Sequence, residues 1–132
     1  MFRDAIDYSK VQLIQRKWWP FQPRNTVMAP TGNLHFHPHG DLWTEDFAGE
    51  PLHRQGLFIH ELTHVWQTQC RGRFYLPFMR HPFCRYRYQL NDGWAFDRYG
   101  LEQQAEIVRH AFLAAHGGRP PILPPKSLLP FD

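Results

Sequence analysis

The sequence predicts a small α+β domain in which two amphipathic helices pack beside a small antiparallel sheet. Apolar residues follow helical spacing near residues 53–69 and 99–116, and two short runs alternate as strands do. The length of 132 residues accommodates one domain with one modest core. A hydrophobic fraction of 42% and a net charge of +3 exclude a chain that is disordered throughout.

Two short strands are predicted in the first third of the chain. The apolar run at residues 11–14 ends before a corner at residues 18–20 and predicts an edge strand. Residues 34–37 follow a turn and alternate strictly, which predicts a second strand. Its two faces differ in chemistry, with Leu34 and Phe36 opposite His35 and His37.

The first predicted helix spans residues 53–69 and has two unlike faces. One broad side collects large apolar residues, namely Phe58, Leu62, Val65 and Trp66. The other side collects polar residues and metal-ligand types, namely His60, His64 and Gln67. The second face is therefore a row of side chains that bind or hydrogen-bond rather than pack.

The second predicted helix spans residues 99–116, with Asp97 as a candidate N-cap and a stop at Gly117-Gly118. Its core stripe has the spacing of a helix face and consists of Leu101, Ala105, Val108, Phe112 and Ala115. The connecting segment is irregular because Pro77 and Pro82 prevent long helices there.

Domain organisation is predicted to be simple. Residues 1–118 form the domain and residues 119–132 an extended Pro-rich arm. Charges interrupt residues 1–20, so no Sec-type signal is expected and the chain is expected to be cytoplasmic. No apolar run approaches the roughly 20 residues that span a bilayer. Cys70 and Cys84 are accordingly expected to be reduced thiols.

The string His60-Glu61-Leu62-Thr63-His64 matches H-E-x-x-H on a predicted helix. Residues i and i+4 lie about 40° apart around a helix, so both imidazoles can reach one metal from the same side. Glu61 then flanks the metal rather than binding it, and can take a proton from water there. The pattern predicts one catalytic Zn²⁺ per chain.

A third protein ligand is needed, and two positions compete for that role. Glu102 on the second helix is favoured, with Glu106 accepting a hydrogen bond from the other nitrogen of a ligand histidine. Cys70 has the spacing of the last ligand in H-E-x-x-H-x-x-G-x-x-H. However, Gln67 replaces the glycine that would turn the chain back, which leaves Cys70 about 15 Å along the helix.

These motifs resemble the gluzincin branch of zinc metallopeptidases, in which H-E-x-x-H is followed by a helical Glu-x-x-Ala-Asp. Residues 102–106 read Glu-Gln-Gln-Ala-Glu, so Glu106 departs from the usual Asp. More narrowly, the strings at residues 6–11, 58–67 and 102–108 resemble small zinc peptidases. These are often encoded near bacterial type VI secretion or related toxin-delivery components. The resemblance covers roughly residues 5–113.

The resemblance implies a minimal zincin-like fold and metal-assisted hydrolysis of peptide bonds, with Glu61 as general base. A peptide or protein is the implied substrate, and a strand edge at residues 34–37 is expected to pair with it. The implied partner is a carrier of a specialised secretion system, which would export the chain. Candidate donors to the oxyanion are Tyr86, Tyr88, Tyr99 and His110.

Three alternatives remain open from the residues alone. The zinc could stabilise a catalytically silent interaction module, although Glu61 argues against it. Five arginines among aromatics between Glu61 and Asp92 suit nucleic acid, but a net charge of +3 is modest, so nucleic-acid binding is not expected. The run His35-Phe36-His37-Pro38-His39 could hold a separate metal, although solvent-facing imidazoles are the favoured interpretation.

Overall fold

The computed structural model describes residues 1–131 as three α-helices, a two-stranded sheet and short 3₁₀ turns. The helices are α1 (Leu52–Arg71), α2 (Tyr75–Met79) and α3 (Leu101–Ala115). The strands are β1 (Leu13–Ile14) and β2 (Leu34–His35). Both long helices were predicted from periodicity and are confirmed, whereas the short α2 was not anticipated.

Helix α1 ends at Arg71, and the chain turns at the following Gly72 with φ 101°, a left-handed conformation that favours glycine. Helix α3 begins after Gly100, whose N–H donates to the side chain of Gln103 at 3.0 Å. The expected cap by Asp97 is wrong, because Asp97 lies in a 3₁₀ turn at Phe96–Arg98 ahead of the helix.

Helices α1 and α3 pack closely because small residues lie between them. A Cβ atom on Gly56 of α1 would lie 2.9 Å from Leu113 Cδ2 of α3. Ala105 of α3 is fully buried between the two glutamates of its helix. These small residues let the two helices approach closely, so that His60 and His64 of α1 face Glu106 and Glu102 of α3.

The sheet is parallel, which corrects the prediction of an antiparallel one. Leu13 pairs with Leu34 and Ile14 with His35, and the chain between them crosses over before returning. Strands of two residues contain too little alternation to fix a direction. The antiparallel contact that exists is an isolated bridge between Met28 and His35.

The predicted substrate edge at residues 34–37 is not free in the folded chain. Leu34 N–H donates to Gln12 O at 3.0 Å, and Phe36 N–H donates to Ile14 O at 2.8 Å. On the other side, His35 and Met28 exchange two backbone hydrogen bonds. Because both hydrogen-bonding edges of this buried strand are already paired, a substrate strand cannot pair there without displacing one of the present segments.

The core lies between α1, α3 and the N-terminal third of the chain. Its buried residues include Phe2, Val27, Leu34, Phe36, Val65, Ile107 and Val108. The segment predicted as an extended arm returns to this core, since the Phe131 ring lies 4.9 Å from Phe2 and 5.3 Å from Trp66. Within residues 1–131, no helix combines the length and apolarity of a membrane span.

Candidate metal centre

Three buried side chains converge where α1 faces the start of α3. His60 Nε2 lies 3.2 Å from Glu102 Oε2, and His64 Nε2 lies 3.1 Å from the same oxygen. All three residues are at least nine-tenths buried. Among residues 1–131, this is the one group of three or more potential ligands whose donor atoms lie together.

The spacing of these atoms fits a zinc ion. Tetrahedral zinc with bonds of about 2.0–2.2 Å holds neighbouring donors roughly 3.3–3.6 Å apart. Both nitrogen-to-oxygen distances lie just below that range. Two neutral imidazoles and a carboxylate also form a common donor set for catalytic zinc. His60, His64 and Glu102 would therefore be the residues that hold the ion.

His60 is oriented by a carboxylate on the other helix. Its Nδ1 lies 2.8 Å from Glu106 Oε1, so an Nδ1–H donates to Glu106 while Nε2 faces Glu102. Arg109 Nη1 donates to the same Glu106 oxygen at 3.2 Å. Burial lowers the pKa of His60, but the hydrogen bonds to Glu102 and Glu106 outweigh it and raise that pKa to about 9.

Glutamate charge is maintained in this cluster although burial opposes it. Burial raises the pKa of Glu102, yet its hydrogen bonds to His60 and His64 outweigh that effect and hold the pKa well below its usual range. The same opposition, with His60 as the main partner, lowers the pKa of Glu106. Both carboxylates are therefore charged and ready to ligate or accept hydrogen bonds.

His64 is oriented by an amide on its own helix, which the sequence analysis missed. Gln67 Oε1 lies 2.8 Å from His64 Nδ1, and Gln67 Nε2 donates to Leu101 O and Gln104 Oε1, both at 2.9 Å. Gln104 in turn donates to Tyr99 O at 2.8 Å. The position of Gln67 on the histidine face of the helix was the available signal.

Glu61 lies beside the cluster and makes no ligand contact in it. It is buried, and burial raises its pKa, although the neighbouring His60 and His64 partly oppose that shift. Its side chain also borders a small apolar hollow formed with Phe36 and Phe58. A buried carboxyl with a raised pKa has the property required of a group that takes and returns a proton near neutral pH.

Tyr86 lies at the exposed mouth of the centre. Its ring stacks over His60 with centroids 6.1 Å apart, and its hydroxyl accepts from Arg80 Nη2 at 3.1 Å. Arg80 Nε lies 3.0 Å from Glu102 Oε1, as an ion pair without hydrogen-bond geometry. Sequence analysis did not single out Arg80 for the centre, because no spacing rule predicts where a long loop side chain reaches.

The other three expected oxyanion donors are buried and already in contact with other residues. Tyr88 is buried, with its hydroxyl 2.8 Å from His110 Nδ1, and burial raises its pKa. His110 Nε2 lies 3.5 Å from Glu106 Oε2, behind the ligand histidine. Tyr99 accepts from the backbone N–H of Asn91 at 3.2 Å within the core. Among the four expected donors, Tyr86 is the one with an exposed side chain.

A wide groove of about 1310 Å³ opens beside the start of α3. Glu102 and Tyr86 form part of its wall near the centre. Farther along, its lining is basic and aromatic, including Arg71, Arg85, Arg87, Phe83 and Trp94. The groove therefore connects the candidate centre to space large enough for several residues of a peptide.

The remaining candidate ligands stay outside the cluster. Cys70 is exposed at the end of α1 and is free, as is Cys84. The rings of His37 and His39 lie 5.9 Å apart, and His35 is buried against Trp18 instead of joining them. The described residues provide no convergent set of donors at this run.

The fold and the centre can now be compared with known proteins. The structure of the effector domain of Pseudomonas aeruginosa VgrG2b matches this chain with a TM-score of 0.75 and 41% sequence identity. The match covers 87% of this chain and 67% of that domain. The chain belongs to the VgrG2b effector-domain family.

Membership of the VgrG2b effector-domain family links the chain to type VI secretion. The type VI secretion system spike protein VgrG2b of P. aeruginosa is 41% identical over 120 residues. That match covers 86% of this chain but 12% of the spike protein. No family model matches the chain. Homology to a spike protein is consistent with export by a secretion system.

Proposed function

We propose that the chain is a zinc-dependent peptidase of the gluzincin type with a zincin-like fold, carried to its target by a type VI secretion spike. The observation that carries this proposal is the convergence of His60, His64 and Glu102 on one point, with Glu61 beside them. A structural zinc site would not require a buried carboxyl next to an open coordination position.

Chemistry at the centre is divided among residues of this chain. A zinc ion held by His60, His64 and Glu102 would supply a Lewis acid for the scissile carbonyl and for the attacking water. Glu61 accepts the proton of the attacking water and passes it to the leaving amine. Tyr86 donates a hydrogen bond to the carbonyl oxygen as negative charge develops there, and Arg80 holds the Tyr86 hydroxyl in position.

The groove supports a peptide or protein as the substrate. It begins at Glu102 and Tyr86 and continues beyond them, so a chain lying in it would pass the reacting centre. This placement replaces the edge of β2, whose hydrogen-bonding groups are used by Ile14, Gln12 and Met28. Substrate binding is therefore assigned to side-chain contacts in the groove.

The test is hydrolysis of an unstructured protein by zinc-loaded chain. Glu61→Gln is expected to retain zinc while hydrolysis falls by about 10²–10⁴-fold, the usual contribution of a general base. Glu45→Gln, which changes an exposed glutamate, is the matched control and should leave the rate unchanged. Hydrolysis that persists in Glu61→Gln would refute the assigned base. No cleavage of a broad peptide library by zinc-loaded protein would refute the peptidase.

Delivery is tested separately from catalysis. A tagged Glu61→Gln chain, carried as part of its spike, should appear in the medium only when the type VI apparatus assembles. Release that is equal in cells lacking the apparatus would contradict the proposed carrier without affecting the peptidase assignment.

A further inference from the structure

The segment between α1 and α3 exposes large apolar side chains, which a folded domain usually covers. Phe78 and Phe83 are 85% and 84% exposed, and Phe74 and Met79 are more than half exposed. We refer to residues 71–87 as the arginine-aromatic segment. Clustered exposed apolar groups of this kind mark a surface that binds something.

The outward direction of these rings is fixed by packing. Leu76 of α2 is buried, and it lies on the opposite side of the helix from Phe74 and Phe78, which are two residues away on either side. At the far end of the segment, Gln103 Nε2 of α3 donates to Arg87 O at 2.8 Å. The segment is thus fastened on its inner side while its phenylalanines face outward.

Positive charge surrounds the exposed rings. Five arginines lie in the segment, and no acidic residue occurs between Glu61 and Asp92. The guanidinium of Arg73 lies 5.8 Å from the Phe74 ring, and that of Arg71 lies 5.6 Å from the Tyr75 ring. Apolar groups that project beyond a border of arginine match a surface with an apolar interior and an anionic outer layer.

We propose that the arginine-aromatic segment binds the surface of anionic phospholipid bilayers. Phe78 and Phe83 enter the acyl boundary, and the arginines of the segment other than Arg80 pair with lipid phosphates. Nucleic acid fits less well, because rings that project singly do not form a flat stacking platform. Since Met79 and Phe83 also line the groove, binding would place its opening near the membrane surface.

Co-sedimentation of the intact chain with lipid vesicles tests this proposal independently of peptidase activity. Binding is expected to vesicles of phosphatidylglycerol mixed with phosphatidylcholine, with weak binding to phosphatidylcholine alone and a steady loss as salt rises. The double change Phe78→Ser and Phe83→Ser should reduce binding by more than about tenfold, because two rings leave the acyl boundary. Arg73→Gln and Arg85→Gln should each reduce it about fivefold.

Matched controls lie outside the segment. Leu123 is 68% exposed, and Arg119 is exposed, so Leu123→Ser and Arg119→Gln should bind vesicles as the unchanged chain does. Zinc content and thermal unfolding should be the same in all variants, which verifies that each is folded. The proposal is overturned if the unchanged chain ignores anionic vesicles or if the double phenylalanine variant binds equally well. It is also overturned if single-stranded DNA binds more tightly than the vesicles and depends on the same arginines.

Discussion

The two histidines of the candidate centre perform one task with different partners. His60 donates to the carboxylate of Glu106 across the helix interface, whereas His64 donates to the amide of Gln67 one turn along its own helix. Both arrangements leave Nε2 directed at Glu102. The Nε2 atom of a candidate ligand histidine can therefore be directed by a charged partner or by a neutral one, and the two arrangements have different consequences.

The state of His60 depends on pH, because its partner Glu106 is a carboxylate. The orientation of His64 depends on helix α3, because its amide partner Gln67 contacts that helix. The two carboxylates around His60 favour its protonated form, which must be lost before the nitrogen can bind a metal. Gln67 instead reaches the carbonyl of Leu101, at the first residue of α3. The orientation of His64 therefore depends on where that helix starts.

The largest expected effect comes from removing Glu102, the candidate ligand that both histidines face. Zinc sites bind with roughly 10 kcal/mol or more, so losing one of three ligands should weaken zinc binding about a thousandfold. Glu102→Ala should accordingly purify with little zinc, measured by metal analysis beside Glu45→Ala as a surface control. Full zinc content in Glu102→Ala would refute its role as third ligand.

A pH titration of the metal-free protein measures how much His60 and its charged partners contribute to stability. The folded-state pKa of His60 is raised to about 9 from 6.5, so its stabilising contribution is complete below pH 6.5 and disappears as pH rises through 9. The difference corresponds to about 3 kcal/mol of unfolding free energy. Denaturant unfolding in the presence of a chelator measures this loss, and Glu106→Gln should flatten the profile. Stability that holds constant from pH 7 to pH 9 would contradict the prediction.

The smallest effects are expected from replacing Glu106 and Gln67, which hydrogen-bond to the Nδ1 atoms of His60 and His64. Loss of an outer partner typically lowers zinc affinity about 10–100-fold. Gln67→Ala and Glu106→Ala should fall in that range, whereas Glu106→Gln should lose about tenfold or less because an amide oxygen can still accept from Nδ1–H. Competition with a chelating dye measures the affinities. If Glu106→Gln is as damaged as Glu106→Ala, the carboxylate charge rather than the hydrogen bond is what the centre requires.

Helical spacing predicted the helices and, through them, most of the centre. The i, i+4 relation placed His60 beside His64, and the same relation placed Glu102 beside Glu106, so each pair followed from helix geometry alone. Gln67 occupies the position of the glycine in a different motif, and that comparison gives no indication of its contact with His64. Contacts within one helix could be predicted from the sequence where the residue type suggested a role.

Contacts between residues that are far apart in the chain could not be predicted from helical spacing. The parallel pairing of β1 with β2 depends on a crossover whose path has no periodic signal, and the bridge from Met28 closes the other side of β2. Arg80 reaches Glu102 from an irregular loop. Such contacts are decided by tertiary packing, which short alternating runs and loop composition do not specify.

The close contact at Gly56 bears on which ions the centre can accept. Gly56 lies one helical turn before His60, and it lets α1 approach Leu113 of α3. This packing keeps the backbones of the two helices close together where the candidate donor atoms meet, which disfavours a large ion. Calcium, with bonds of about 2.3–2.6 Å and six or more oxygen ligands, would have to force the helices apart. For the zinc ion proposed above, the close helix packing at Gly56 would therefore favour a small ion over a larger one, one turn away from the nearest candidate ligand.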